Sequence, residues 1–104
     1  MITLIIPTLN EKKNIKKISK KLNKIKIISE IIFIDDNSSD GTFEEIKKIK
    51  YKKFKGLLRN SKDKDLSKSV ILGSSKAKSN ILMIMDCDLQ HDVKYINRMW
   101  EIFR

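Results

Sequence analysis

An α/β protein with a parallel sheet and helices on both of its faces is what this sequence predicts, and three observations carry the expectation. Short apolar runs alternate with longer polar or amphipathic segments four times along the 104 residues, the pattern of strand–helix repeats around a parallel sheet. The runs are continuous rather than alternating, as expected of strands covered on both sides. No internal repeat, low-complexity linker or change of composition divides the chain, so residues 1–104 read as one domain with one core.

Ile2 to Ile6 is an apolar run stopped by Pro7, a strand running into a loop. A helix is expected from Glu11 to Ile25, with Asn10 as its N-cap and Glu11 favourable in the first turn. Ile15, Ile18, Leu22 and Ile25 form its apolar stripe, while Lys12, Lys16, Lys20 and Lys24 form an opposite row. Ile31 to Ile34 is a second strand, led in by Ile27 and Ile28 and ended by the turn formers Asp35 to Thr42. A helix from Thr42 to Lys50 should turn Phe43, Ile46 and Ile49 inward. Phe54 to Leu58 is a weaker third strand, and Arg59 to Lys64 is a loop. Leu66 to Lys78 is expected to be helical, with Leu66, Val70, Ile71 and Ala77 able to face inward. Ile81 to Met85 is five consecutive apolar residues, the strongest buried-strand signal. The last helix starts near Asp92, with Val93, Ile96, Trp100 and Phe103 on one face.

Composition excludes several classes. The net charge is +10, but the lysines are spread along the chain and no aromatics interleave with them as base-stacking platforms, so a nucleic-acid-binding module is only a remote alternative. The lysine row reads as a solvated helix face, or as a face attracted to anionic lipid headgroups. No run of about 18 apolar residues is present to span a bilayer. MITLIIPTLNE lacks the basic lead and cleavage site of a signal peptide. The single cysteine, Cys87, fits a reducing compartment. The expected location is cytoplasmic, either free or peripheral at the cytoplasmic face of a membrane.

Among 23 basic residues, the positions of the 13 acidic ones carry the chemistry. Asp35 and Asp36 follow the second strand, Asp86 and Asp88 follow the fourth, and Glu11 lies just past the first. In a parallel sheet these carboxylates converge beyond the carboxyl ends of the strands, where ligands bind. Their mutual repulsion calls for a cation or for N–H and O–H donors. Asp86-x-Asp88 is a DXD motif whose two carboxylates can reach one hard cation, Mg²⁺ or Mn²⁺.

Four stretches in order (IIPTLNE, IIFIDDNSSDGT, LLRN with LSKSVILGSSKA, and ILMIMDCDLQHD) make the chain resemble family-2 glycosyltransferases, nearest to the dolichyl-phosphate mannosyltransferases and polyprenyl-phosphate glycosyltransferases. The resemblance implies a Rossmann-like parallel sheet, the nucleotide-binding half of a GT-A fold. It implies that Pro7, Leu9, Glu11 and Ile34 line the base and ribose, and that Asp36 hydrogen-bonds the base. Asp86, Cys87 and Asp88 would lie along the ribose and diphosphate, with Asp88 and Gln90 as metal ligands and Asp86 as a third candidate. The implied reaction is a metal-dependent, inverting transfer of a mannose- or glucose-like sugar from a GDP- or UDP-sugar to a polyprenyl or dolichyl phosphate. Arg59 matches a recurrent arginine without an assigned role. His91 fits a structural hydrogen bond better than a ligand. Asp65 stands where the family usually has glycine. The family's catalytic domains are longer, so the expectation is an N-terminal, truncated part of the enzyme. An inactive nucleotide-sugar-binding fragment is the alternative reading.

Overall fold

The computed structural model describes residues 1–87 and 94–104. Asp88, Gln90 and His91 fall outside the described residues, as do Asp92 and Val93. The elements follow the expected alternation: β1 (Ile2–Thr8), α1 (Lys12–Asn23), β2 (Ile28–Asp35), α2 (Thr42–Lys47), β3 (Phe54–Leu58), α3 (Leu66–Lys76), β4 (Leu82–Ile84) and α4 (Lys94–Phe103). All pairings are parallel and the order is β3-β2-β1-β4. The chain steps outward from β1 to β3 and then returns to the far side of β1. This reversal puts a topological switch point between β1 and β4, where doubly wound sheets hold their ligands.

Among the described residues two clusters form the core. On one face Leu4, Ile6, Ile31 and Phe33 meet Ile15, Ile18 and Leu22 of α1, Ile46 of α2 and Ile96 of α4. On the other, Ile5, Ile32 and Ile34 meet Leu72 near the end of α3. β1 and β2 are central and covered twice, which is why their sequences are apolar without alternation. Each fully buried isoleucine or leucine contributes about 1.5–3 kcal/mol relative to exposure.

Several boundaries differ from expectation for physical reasons. β1 does not stop at Pro7 but pairs through Thr8. β1–β4 pairing covers only Thr3 to Ile5, and Met85 N–H closes it on Ile5 O. The N–H that proline lacks is therefore on a side that β4 no longer pairs. α2 ends at Lys47, short of Lys50. The inner face of α3 is Ser69, Leu72 and Gly73, whereas Ile71 is 68% and Leu66 44% exposed. Gly73 sets that rotation: a Cβ there would lie 2.9 Å from Ile34 Cγ1 and 3.2 Å from Ile5 Cγ2, so only glycine lets the helix sit this close to the sheet. β4 is an edge strand rather than a buried one, with Leu82 40% and Ile84 59% exposed. On α4, Ile96 is buried and Trp100 packs on the core, but Phe103 is exposed.

At the amino end of the sheet, buried Glu30 ties three segments together. It accepts from Thr3 Oγ1 (2.8 Å) and Lys78 N–H (2.9 Å), and pairs with the Lys55 ammonium. Burial pushes this carboxyl's pKa up, but Lys55, Lys78 N–H and Thr3 together outweigh it and hold it below the usual glutamate value.

Candidate donor-binding edge

The carboxyl ends of β1 and β2 are level, with Thr8 opposite Asp35, so Leu9 and Asp36 are the next residues on each. Ile5 is opposite Ile84, which brings Asp86, two residues on, level with Pro7. The sheet thus brings Pro7, Leu9, Glu11, Ile34, Asp36, Asp86 and Cys87 to one edge.

The two aspartates after β2 have separate tasks. Asp35 closes the turn that follows it: Oδ1 accepts from Thr8 Oγ1 (2.9 Å) and Ser38 Oγ (2.6 Å), and Oδ2 from Ser38 N–H (2.9 Å). Asp36 is fully buried and faces the third loop. Its Oδ1 accepts from Arg59 Nη1 (2.5 Å) and its Oδ2 from Asp65 N–H (2.7 Å). Arg59 N–H donates to Asp35 O (2.8 Å), Arg59 Nη1 also donates to Asp63 O (2.6 Å), and Lys64 Nζ donates to Asp36 O (3.1 Å). Residues 59–65 are stapled to the end of β2 by these bonds. Asp65 is at the same time the N-cap of α3, accepting from Ser67 N–H (3.0 Å).

A second network fixes the loop after β1. Asn10 is not the N-cap of α1. It takes the left-handed region (φ 55°), which asparagine tolerates, and bonds to Ser38 and Ser39 instead. Glu11 stands at the cap position with no side-chain cap bond, its N–H held by Thr42 Oγ1 (2.9 Å) and its carboxylate accepting from Asn14 Nδ2 (2.7 Å). Asp40 supplies the missing cap from the other loop: Oδ2 accepts from Lys12 N–H (3.2 Å), and Oδ1 from Thr42 N–H (3.0 Å) and its hydroxyl. Burial raises the Asp40 pKa, and these donors outweigh it, so it lies below the usual aspartate value.

The repulsion expected among the carboxylates is therefore answered by protein donors at Glu11, Asp35 and Asp36. Among the described residues no group of three or more His, Cys, Asp and Glu side chains could hold a metal ion. Asp86 is exposed and forms no ion pair among the described residues, so one hard oxygen ligand is available there. Asp88 and Gln90, the other expected ligands, lie outside the described residues. Cys87 is 3% exposed and its side chain belongs to the core, so any ligand contact it makes comes through its backbone. Pro7 and Ile34 are likewise buried, while Leu9 and Glu11 are partly exposed.

Sequence reasoning missed Asp40, Thr42 and Asp65 as architects of this edge. The signal for Asp65 was present, since aspartate just before a helical run is a standard N-cap. Asp40 acts across two loops, and nothing local marks that.

The sequence profile described as "Glycosyl transferase family 2" matches residues 3–104. The chain is 32% identical over 105 residues to a dolichol-phosphate mannosyltransferase of Pyrococcus furiosus, a match covering 99% of this chain and 30% of that protein. It is 31% identical over 105 residues to the dolichol-phosphate mannosyltransferase of Saccharomyces cerevisiae, covering 95% of this chain and 39% of the relative. It therefore spans about a third of the length of these relatives. In the crystal structure of S. aureus TarS 1-349, the superposition covers 84% of this chain and 27% of that one, with a TM-score of 0.74 at 23% identity. That likeness bears out the α/β fold class. No helix among the described residues is long and apolar enough to cross a membrane.

Proposed function

The chain belongs to glycosyl transferase family 2, and from that membership we propose that it supplies the donor-binding part of a hexosyltransferase that moves a mannose- or glucose-like sugar from a GDP- or UDP-sugar to a polyprenyl or dolichyl phosphate. The observation that carries the reading is the placement of Leu9, Glu11, Asp36 and Asp86 along one carboxyl edge of a doubly wound sheet, with Leu9 and Asp86 flanking its switch point. The dolichol-phosphate names of two relatives support the acceptor class.

In this proposal the partly exposed Leu9, backed by buried Pro7, gives the base an apolar wall and Glu11 accepts from the ribose. Asp36, aligned by Arg59 and Asp65 N–H, has acceptor lone pairs beyond those two bonds and offers them to a base N–H. Asp36 is fully buried with residues 59–65 bonded to it, so a base reaches those lone pairs when the loop opens at its Asp65 end while Arg59 stays paired. Asp88 and Gln90, with Asp86, would hold Mg²⁺ or Mn²⁺, which supplies positive charge against the diphosphate oxygens. The acceptor phosphate oxygen is already anionic and forms its bond to the anomeric carbon as the bond to the nucleoside diphosphate breaks, a single inverting displacement.

Calorimetric titration of GDP-mannose and UDP-glucose, with and without Mn²⁺, tests the assignment. One of the two should bind more tightly with metal, and Asp88→Ala should remove that gain. Metal-independent binding that is indifferent to Asp88→Ala would refute the site.

A further inference from the structure

α1 presents Lys12, Lys13, Lys16, Lys17, Lys20 and Lys21 to solvent, all exposed. Among the described residues no ion pair neutralises any of them, whereas Lys48, Lys55, Arg59, Lys68 and Arg104 do pair. Like charges at i, i+4 spacing repel, so this row destabilises the isolated helix. α2 packs beside α1; its own charges are Glu44, Glu45 and Lys47, and it is Lys48 and Lys50, just past its end, that widen the lysine row into a face. Between α1 and the segment 48–51 that follows α2 runs an open groove of about 540 Å³ whose walls include Lys16, Lys20, Lys48 and Lys50, with Ile49 and Tyr51 beside them. Its one acid, Glu45, is bonded to Lys48 at 3.0 Å. The α3 side differs: Lys68 is bonded to Asp63 (2.7 Å) and Lys64 to backbone carbonyls, so these cations are engaged within the protein.

We propose that the α1–α2 face docks on an anionic phospholipid bilayer, with the groove seating headgroup phosphates. The proposal deepens the acceptor reading above, because a lipid phosphate is met at such a surface, but its chemistry stands on charge alone. Every basic residue from Lys12 to Lys55 is lysine and none is arginine. Lysine ammoniums are hydrated point charges suited to a diffuse anionic plane, whereas reading a phosphate backbone favours arginine forks. Tyr51, the aromatic in the groove, already packs against Phe54 at 5.6 Å rather than standing free to stack on a base.

The test is co-sedimentation of the chain with vesicles of phosphatidylcholine alone and with about a third phosphatidylglycerol, in salt from about 0.05 M to about 0.5 M. Binding is expected only to the anionic vesicles, and to fall steeply with salt. Replacing Lys16, Lys20 and Lys50 together by glutamine should weaken it by about 30-fold, allowing for screening of charges near the surface. Replacing Lys62, Lys76 and Lys78 by glutamine removes the same charge from other positions and should cost less than about 5-fold. Far-UV circular dichroism checks that both variants remain folded. Equal binding to neutral vesicles, equal losses in the two variants, or tighter α1-dependent binding to duplex DNA than to vesicles would overturn the proposal. Donor titration in parallel separates the readings: its failure refutes the transferase assignment and leaves the docking face standing.

Discussion

Asp36→Ala removes the acceptor that holds residues 59–65 to β2. Two charge-assisted bonds are lost, each of the kind that contributes about 1.5–3 kcal/mol. Breaking a buried ion pair from one side typically costs about 3–5 kcal/mol, because a charge is left buried and uncompensated. Here the cost is moderated, since Arg59 keeps Asp63 O at 2.6 Å and its side chain is 13% exposed, enough to admit water. The expected loss is about 3 kcal/mol. Urea unfolding followed by circular dichroism measures it, and a double-mutant cycle with Arg59→Met identifies its cause. With both partners gone no buried charge is stranded, so the double variant should lose less than the sum of the singles by about 1.5 kcal/mol. The amide of Asp65, bonded only to the Asp36 carboxylate, should lose hydrogen-exchange protection in Asp36→Ala. Additivity within about 0.5 kcal/mol, or a single-variant loss under about 1 kcal/mol, would refute the account of Asp36 as the clamp of this loop.

Two further outcomes follow from the core and the amino end of the sheet. Glu30 has a folded-state pKa below its unfolded value, so its stabilisation is complete above the unfolded value of about 4.3 and is lost as pH falls through the folded pKa. Glu30→Gln should lower stability by about 1–2 kcal/mol at neutral pH, discounted because Lys55 is partly exposed, and the gap to the unsubstituted chain should narrow in acid; a gap independent of pH between neutrality and pH about 3 would contradict the sign worked out here. Gly73→Ala sets a helix-propensity gain of up to about 1 kcal/mol against overlap with Ile34 and Ile5, and overpacking of this kind costs about 1–3 kcal/mol. A net loss in thermal stability is expected, and an unchanged or raised Tm would show that α3 can retreat from the sheet.

The strands and helices were legible because their cause is local. An apolar run such as Ile31 to Ile34, or the three-and-four spacing of Ile15, Ile18 and Leu22, reports which surface must be buried, whatever covers it. Four parallel strands with helices on both faces follow from that alternation, and so does the carboxyl edge carrying Leu9, Glu11, Asp36 and Asp86. The acidic residues after β2 were visible too, but not their division of labour. The Asp36–Arg59 and Asp36–Asp65 bonds span 23 and 29 residues, and the Asp40–Lys12 cap spans 28. No local pattern records bonds of that length.

The sequence by itself determined which segments bury themselves and which chemistry gathers at the ends of the strands. Only the tertiary structure decided which face of α3 lies against the sheet, that β4 is an exposed edge rather than a buried strand, and that Asp35, Asp36 and Asp40 are satisfied by protein donors. Periodicity fixes how much apolar surface an element must hide, but its partner is chosen by close packing and by hydrogen bonds between distant loops. At Gly73 that choice came down to the volume of one missing Cβ.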